Sequence, residues 1–135
     1  MSSNEFSDLC VMAIDDEAFA RGLIVRVLEN LGVGVVSEAE NGVDALAKLE
    51  AADPPVDLVI SDIEMPEMNG YEFVRRLRYG TLPAYKALPV IMLTGKDTDK
   101  NVRRARIHKI SGFVVKPPDM ETLKDHIRRA VRGDA

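Results

Sequence analysis

A second cysteine is missing from this 135-residue chain, in which Cys10 stands alone within the apolar run 9–14. Neither a disulfide framework nor a thiolate metal site can be assembled, and the thiol reads as a small buried group in a chain expected in the cytoplasm. No basic stretch leads into a long apolar one at the amino end, so no secretory signal is expected. Runs of the ~18 apolar residues that a membrane span needs are absent too, and Ser2 stands where an acylation signal needs glycine. Proline and glycine are moderate, at 7 and 9 residues. With 46% hydrophobic and 30% charged residues, the composition is that of an ordinary folded protein. A glycine-rich phosphate loop does not follow the first apolar run, which argues against nucleotide or flavin binding there.

What is present fits one domain over residues 1–135, with its core from about 8 to 132 and the first eight and last three residues frayed. Net charge is −4, unevenly spread: residues 1–62 hold 13 acids and 3 bases, and residues 63–135 hold 9 acids and 15 bases. One region of the folded surface should be acidic and another basic.

The run Leu9, Cys10, Val11, Met12, Ala13, Ile14 is apolar throughout, as a strand covered on both faces must be. Three acids, Asp15, Asp16 and Glu17, end it. Phe19, Leu23, Val27 and Leu31 then recur every four residues, with Ile24 and Leu28 beside them, predicting an amphipathic helix closed by Gly32. Residues 33–39 read as a second strand, and a helix from Gly42 through Val43, Leu46 and Leu49 stops at Asp53-Pro54-Pro55. A third strand, with Leu58, Val59 and Ile60, delivers Asp62 at its far end. After a loop over 63–70 comes a helix through Tyr71, Phe73, Val74 and Leu77. A fourth strand runs from Pro89 to Thr94-Gly95, and residues 97–107 read as a weakly apolar fourth helix. The fifth strand, 112–115, ends at Lys116, and Asp119 can cap a last helix whose inner face is Leu123, Ile127 and Val131. Five β-α repeats predict an α/β fold, a doubly wound parallel sheet with helices on both faces.

Asp15, Asp16, Asp62, Thr94 and Lys116 all fall at the carboxyl end of a predicted strand, the edge where open parallel sheets bind ligands. Three carboxylates gathered there repel one another and call for a compensating cation. Hard oxygen ligands suit Mg²⁺, which keeps several waters and also holds phosphate oxygens. Lys116 supplies a second positive charge, and Thr94 a hydroxyl beside the open backbone of Gly95. Asp62, alone at the end of the central strand, is the candidate nucleophile for an aspartyl phosphate. Taken singly these features have plainer readings: acids favour the first turn of a helix, and Lys-Pro is a common turn. Their joint placement at the ends of four strands is what points to a site.

At these residues the sequence resembles the receiver domain of two-component response regulators, in the stand-alone, chemotaxis-regulator-like form. The resemblance runs from residue 8 to about 132 through Val11-Met12-Ala13-Ile14-Asp15-Asp16-Glu17, Asp62-Ile63-Glu64-Met65-Pro66-Glu67-Met68-Asn69-Gly70, Thr94-Gly95 and Lys116-Pro117. It implies a flavodoxin-like (βα)5 sheet in the order 2-1-3-4-5. Asp62 would be the phosphoacceptor, supplied by a sensor histidine kinase or a histidine phosphotransfer protein. Asp16 and Asp62 would ligate Mg²⁺ with the backbone carbonyl of Glu64, Asp15 acting through metal-bound water. Lys116 and Thr94 would contact the phosphoryl group, and Phe113 would switch with Thr94 or serve as a plain core aromatic. Glu64 and Lys96 would border the water route, either as an ion pair or as two solvated charges. The family's usual Ala-Gly-Ala before the fifth strand is replaced by His108-Lys109-Ile110.

Lys100, Arg103, Arg104, Arg106, Lys109, Lys124, Arg128 and Arg129 give a basic face made by the fourth predicted helix, the fifth strand and the last helix. Relatives bind outputs or dimerise there, and an acidic protein target is expected in preference to DNA or a membrane. Two other classes stay open on the sequence: a phosphorylation-independent binding module of the same fold, and a small phosphohydrolase with an aspartyl nucleophile. Against the second, His108 and His126 fall away from the predicted rim and no lid segment is evident.

Overall fold

The computed structural model describes residues 5–80, 82–95, 109–116 and 118–132. The elements are β1 (Cys10–Ile14), α1 (Ala18–Asn30), β2 (Val35–Ala39), α2 (Gly42–Ala51), β3 (Leu58–Asp62), α3 (Gly70–Tyr79), a 3-10 turn (Pro83–Tyr85), β4 (Val90–Thr94), β5 (Gly112–Val115) and α4 (Met120–Arg132). The helix expected over 97–107 lies outside the described residues, as do Lys96, Lys100, Arg103, Arg104, Arg106 and His108. All strands are parallel, in the order β2-β1-β3-β4-β5 expected from the resemblance.

Strand alternation divides the core into two layers. Cys10, Met12, Ile14, Val59 and Met92 face α2 and α3, where Leu49, Phe73, Val74 and Leu77 cover them. Val11, Ala13, Leu58, Ile60, Ile91 and Leu93 face α1 and α4, beneath Ile24, Leu28, Leu123 and Ile127. Every residue of β1, β3 and β4 is buried, which is why these runs do not alternate in polarity. Cys10 is buried as expected, and burial pushes its thiol above the ordinary range.

Caps fix where helices begin. Asn41 accepts from the Asp44 N–H at 2.8 Å while the Asp44 carboxylate accepts from the Glu40 N–H at 3.1 Å, so α2 starts at Gly42. Asn69 caps α3 through the Glu72 N–H at 2.9 Å, and Asp119 caps α4 through Thr122 at 3.1 Å.

Several expectations are corrected. Phe19 and Leu23 are 81% and 38% exposed, so α1 meets the sheet chiefly through Ile24 and Leu28, and of the Phe19 row only Val27 and Leu31 pack against that layer, partly buried. Val43 and Val131 are exposed as well, and Ala45 and Ala130 occupy the buried places on α2 and α4. Residues 5–8 are not frayed: Phe6 is 4% exposed and its carbonyl accepts from the N–H groups of Leu9 and Gly34. A Cβ on Gly34 would stand 2.0 Å from the Ser7 carbonyl oxygen, so only glycine admits this turn. Glu5 pairs with Arg128 on α4, which takes one charge out of the expected basic face.

Lys109, which stands where a glycine was expected, keeps the glycine-like backbone at φ 56°. Arg78 of α3 reaches across to donate to the carbonyls of Lys109 at 3.0 Å and Lys86 at 3.1 Å. That bond holds the turn from which β5 departs.

Candidate functional site

In a sheet of this order the chain leaves β1 toward β2 and returns past it to β3, so a crevice opens above the carboxyl ends of β1 and β3. Ile14 is in register with Ser61, which sets Asp15 and Asp62 side by side at that edge. Thr94 ends β4 in register with Val115, and its carbonyl accepts from the Lys116 N–H at 2.8 Å. Residues separated by up to 101 positions thus meet, as their strand-end placement implied.

The Lys116 ammonium lies 3.0 Å from Asp62 Oδ1 and 3.5 Å from Asp15 Oδ2. Asp62 Oδ1 also accepts from the Ile63 N–H at 2.9 Å, and Asp15 Oδ1 from the Glu17 N–H at 2.9 Å. Asp15 is fully buried, Asp62 nearly so and Asp16 exposed. Burial raises the Asp62 carboxyl above its ordinary value; Lys116 opposes that, and the neighbouring Asp15 adds to it. For Lys116 burial acts downward, but the Asp62 and Asp15 carboxylates outweigh it and hold the ammonium above its ordinary value.

One carboxylate oxygen from each of Asp15, Asp16 and Asp62 can be chosen so that all three lie within 4.8 Å of one another. A compact, all-oxygen donor set of this kind fits a hard divalent cation such as Mg²⁺. The loop after Asp62 packs tightly: a Cβ on Gly70 would come 2.6 Å from the Asp62 carbonyl oxygen, and Met68 is seated against Gly42. Glu64 is exposed on this loop, and Glu67 turns it at φ 67°. Phe113 is half-buried against the core layer that contains Met92, its register partner on β4. A Glu64–Lys96 pair falls outside the described residues.

Two features of the site were not read from the sequence. One is Arg21, which donates to the Asp15 carbonyl at 2.8 Å and to Glu38 at 2.9 Å; it is one of only three bases among the first 62 residues. The other is a cleft of about 250 Å³ lined by Ala20, Leu23, Ile24, Leu93 and Pro118, with Asp15 and Lys116 at its edge.

The open parallel sheet thus carries an acidic crevice, a buried carboxylate at the end of its central strand and a lysine in contact with it. The family model of the response regulator receiver domain matches residues 11–128, and the chain belongs to that family. It is 36% identical over 118 residues to chemotaxis protein CheY1 of Helicobacter pylori, covering 87% of this chain and 92% of that protein. Sensor histidine kinase CheAY of the same organism is 34% identical over 131 residues, 97% of this chain; the chain spans only 16% of that kinase. Among solved structures, chemotaxis protein CheY4 of Vibrio cholerae superposes with a TM-score of 0.81 at 34% identity, covering 90% of this chain and 98% of that one. Membership of this family places the chain in phosphorelay signalling. Among the described residues no helix is long and apolar enough to cross a membrane.

Proposed function

We propose that the chain is a single cytoplasmic receiver domain that accepts a phosphoryl group on Asp62 from a phosphohistidine of a sensor kinase or phosphotransfer protein. The observation that carries this reading is the 3.0 Å contact of Lys116 with Asp62 beside Asp15 and Asp16. Among the described residues, Lys116 and the Ile63 N–H both engage Oδ1, so Oδ2 is the oxygen offered to phosphorus. As the Oδ2–P bond forms, the N–P bond of the donor imidazole breaks and its nitrogen keeps the electron pair. Lys116 and the Thr94 hydroxyl would receive the charge on the equatorial oxygens. Asp16, Asp62 and the Glu64 carbonyl would hold Mg²⁺, with Asp15 acting through its water; the ion would neutralise charge on the transferring group.

The apolar cleft, with Asp15 and Lys116 at its edge, would offer the donor protein a dry footing. Phe113, half-buried on β5, and the last helix would contribute to the face through which the phosphorylated state is read by a protein partner or a second copy.

Intact mass after incubation with a small acyl phosphate tests the reading. One Mg²⁺-dependent phosphoryl adduct, absent in Asp62→Asn, is expected. No adduct and no released phosphate would leave a phosphorylation-independent binding module, and multiple turnover of a phosphate ester would make the protein a hydrolase instead.

A further inference from the structure

We infer that Arg21 is a positioning residue that sets the geometry of the Asp15-Asp16 pair, and that Glu38 in turn sets Arg21. The inference rests on the reading of Asp15, Asp16 and Asp62 as a Mg²⁺ site. Arg21 is the fourth residue of α1, and a helical side chain leans toward the helix start, here over the turn that carries the acids. Its Nη1 donates to the Asp15 carbonyl at 2.8 Å and its Nε to Glu38 Oε1 at 2.9 Å. The guanidinium is largely covered, at 19% side-chain exposure, and Glu38 is half-open at 49%.

The bonded carbonyl matters because it belongs to the planar peptide joining Asp15 to Asp16. Rotation of that plane redirects both acidic side chains at once. On its other side Asp15 is fixed by its own N–H, which donates to the Ala39 carbonyl at 3.2 Å. The Asp15 side chain is anchored further by Glu17 and Lys116. Asp16 has no such support: it is exposed, and among the described residues its carboxylate accepts no hydrogen bond. Its direction therefore depends on the peptide that Arg21 holds.

Glu38 is itself braced. Lys48 donates to its backbone carbonyl at 2.6 Å and pairs with Asp44 at 3.2 Å. Arg21, Glu38, Asp44 and Lys48 together line a polar cleft of about 280 Å³ at the β2 edge. Because Glu38 neutralises Arg21, the arginine can stand behind the acids without competing with a cation for their oxygens. A lysine lacks the rigid fork that reaches a carbonyl and a carboxylate in fixed directions.

The test is calorimetric titration of Mg²⁺ into the full chain and its Arg21→Ala, Arg21→Lys and Glu38→Gln variants, with metal-free melting of each. Outer-shell partners of metal ligands typically govern ~10- to 100-fold in affinity, so Arg21→Ala is expected to bind Mg²⁺ about 10-fold more weakly. Glu38→Gln and Arg21→Lys should fall between it and the native chain, and Glu38→Gln should add nothing in the Arg21→Ala background. Unchanged Mg²⁺ affinity in Arg21→Ala overturns the inference, whether or not the melting temperature drops, because a purely structural bond would move melting alone. If the native chain binds no Mg²⁺, the reading of the acidic site fails first and takes this inference with it.

Discussion

Burial of Asp62 costs the folded chain stability. Its carboxyl is raised above the ordinary value by burial, so the folded chain binds that proton more tightly than the unfolded chain does. Stability contributed by this group is therefore complete below the unfolded value of 3.8 and declines as pH rises through the folded value. At neutral pH the ionised group stands at its full cost. Asp62→Asn in metal-free buffer should melt a few degrees above the native chain at pH 7, on the order of 3 °C for a domain of this size, with the gap closing below pH 4. A scan of melting temperature against pH decides it; a variant that melts lower at pH 7 would contradict the assignment of burial as the dominant cause. Lys116 has the opposite weight, since its raised ammonium stabilises fully below 10.5 and loses that contribution only as pH climbs through its folded value. Replacing it with methionine leaves two neighbouring carboxylates uncompensated and should cost about 2 kcal/mol in urea unfolding at pH 7. These residues were legible in the sequence because each is an ionisable group interrupting an apolar strand at its end. Arg21 and Glu38 were not, because a single arginine on an amphipathic helix looks the same whether it faces water or a carbonyl.

Helix faces were less legible than strand ends. In α1 two neighbouring rows compete, one through Phe19, Leu23 and Val27 and the other through Ala20, Ile24 and Leu28. Four residues overshoot a turn by about 40°, so a row that starts on one side of the seam drifts across it by the end of the helix. Only the packing partner decides which row is inside, and the sheet takes Ile24 and Leu28. Leu28→Ala should accordingly cost about 3 kcal/mol, and Phe19→Ala less than about 0.5 kcal/mol, by urea unfolding. Comparable losses would mean that the helix is rotated. The turn before β5 was unreadable for a different reason. Glycine was the residue expected there, and Lys109 adopts the glycine-like backbone with its carbonyl held by a bond donated from Arg78 of α3. Lys109→Gly should relieve the left-handed strain and stabilise the fold by about 1 kcal/mol.

At the scale of the whole molecule, five β-α repeats were enough to place the acids, the threonine and the lysine on one edge, because parallel strands send all their carboxyl ends the same way. The amino edge was misread. Nothing in the polar segment before β1 announces that Phe6 will be buried; that depends on Gly34, which leaves room for the Ser7 carbonyl. The two edges are therefore independent levers on one cooperative core. A ligand that binds only the folded chain stabilises by RT ln(1 + [L]/Kd), about 2.7 kcal/mol at a hundredfold excess over Kd, or roughly 8 °C here. Mg²⁺ at that excess should raise the native melting temperature by that amount, and EDTA should reverse it. Asp16→Asn should abolish the increment while leaving the metal-free protein close to native, since Asp16 is exposed and, among the described residues, its carboxylate accepts no hydrogen bond. Phe6→Ala should do the reverse: a loss of about 3 kcal/mol from the core, with the Mg²⁺ increment intact. Distant, unshared sites add, so the double variant should show both losses in full. A Phe6→Ala chain that no longer responds to Mg²⁺ would mean that the amino-terminal turn and the acidic edge are coupled through the sheet.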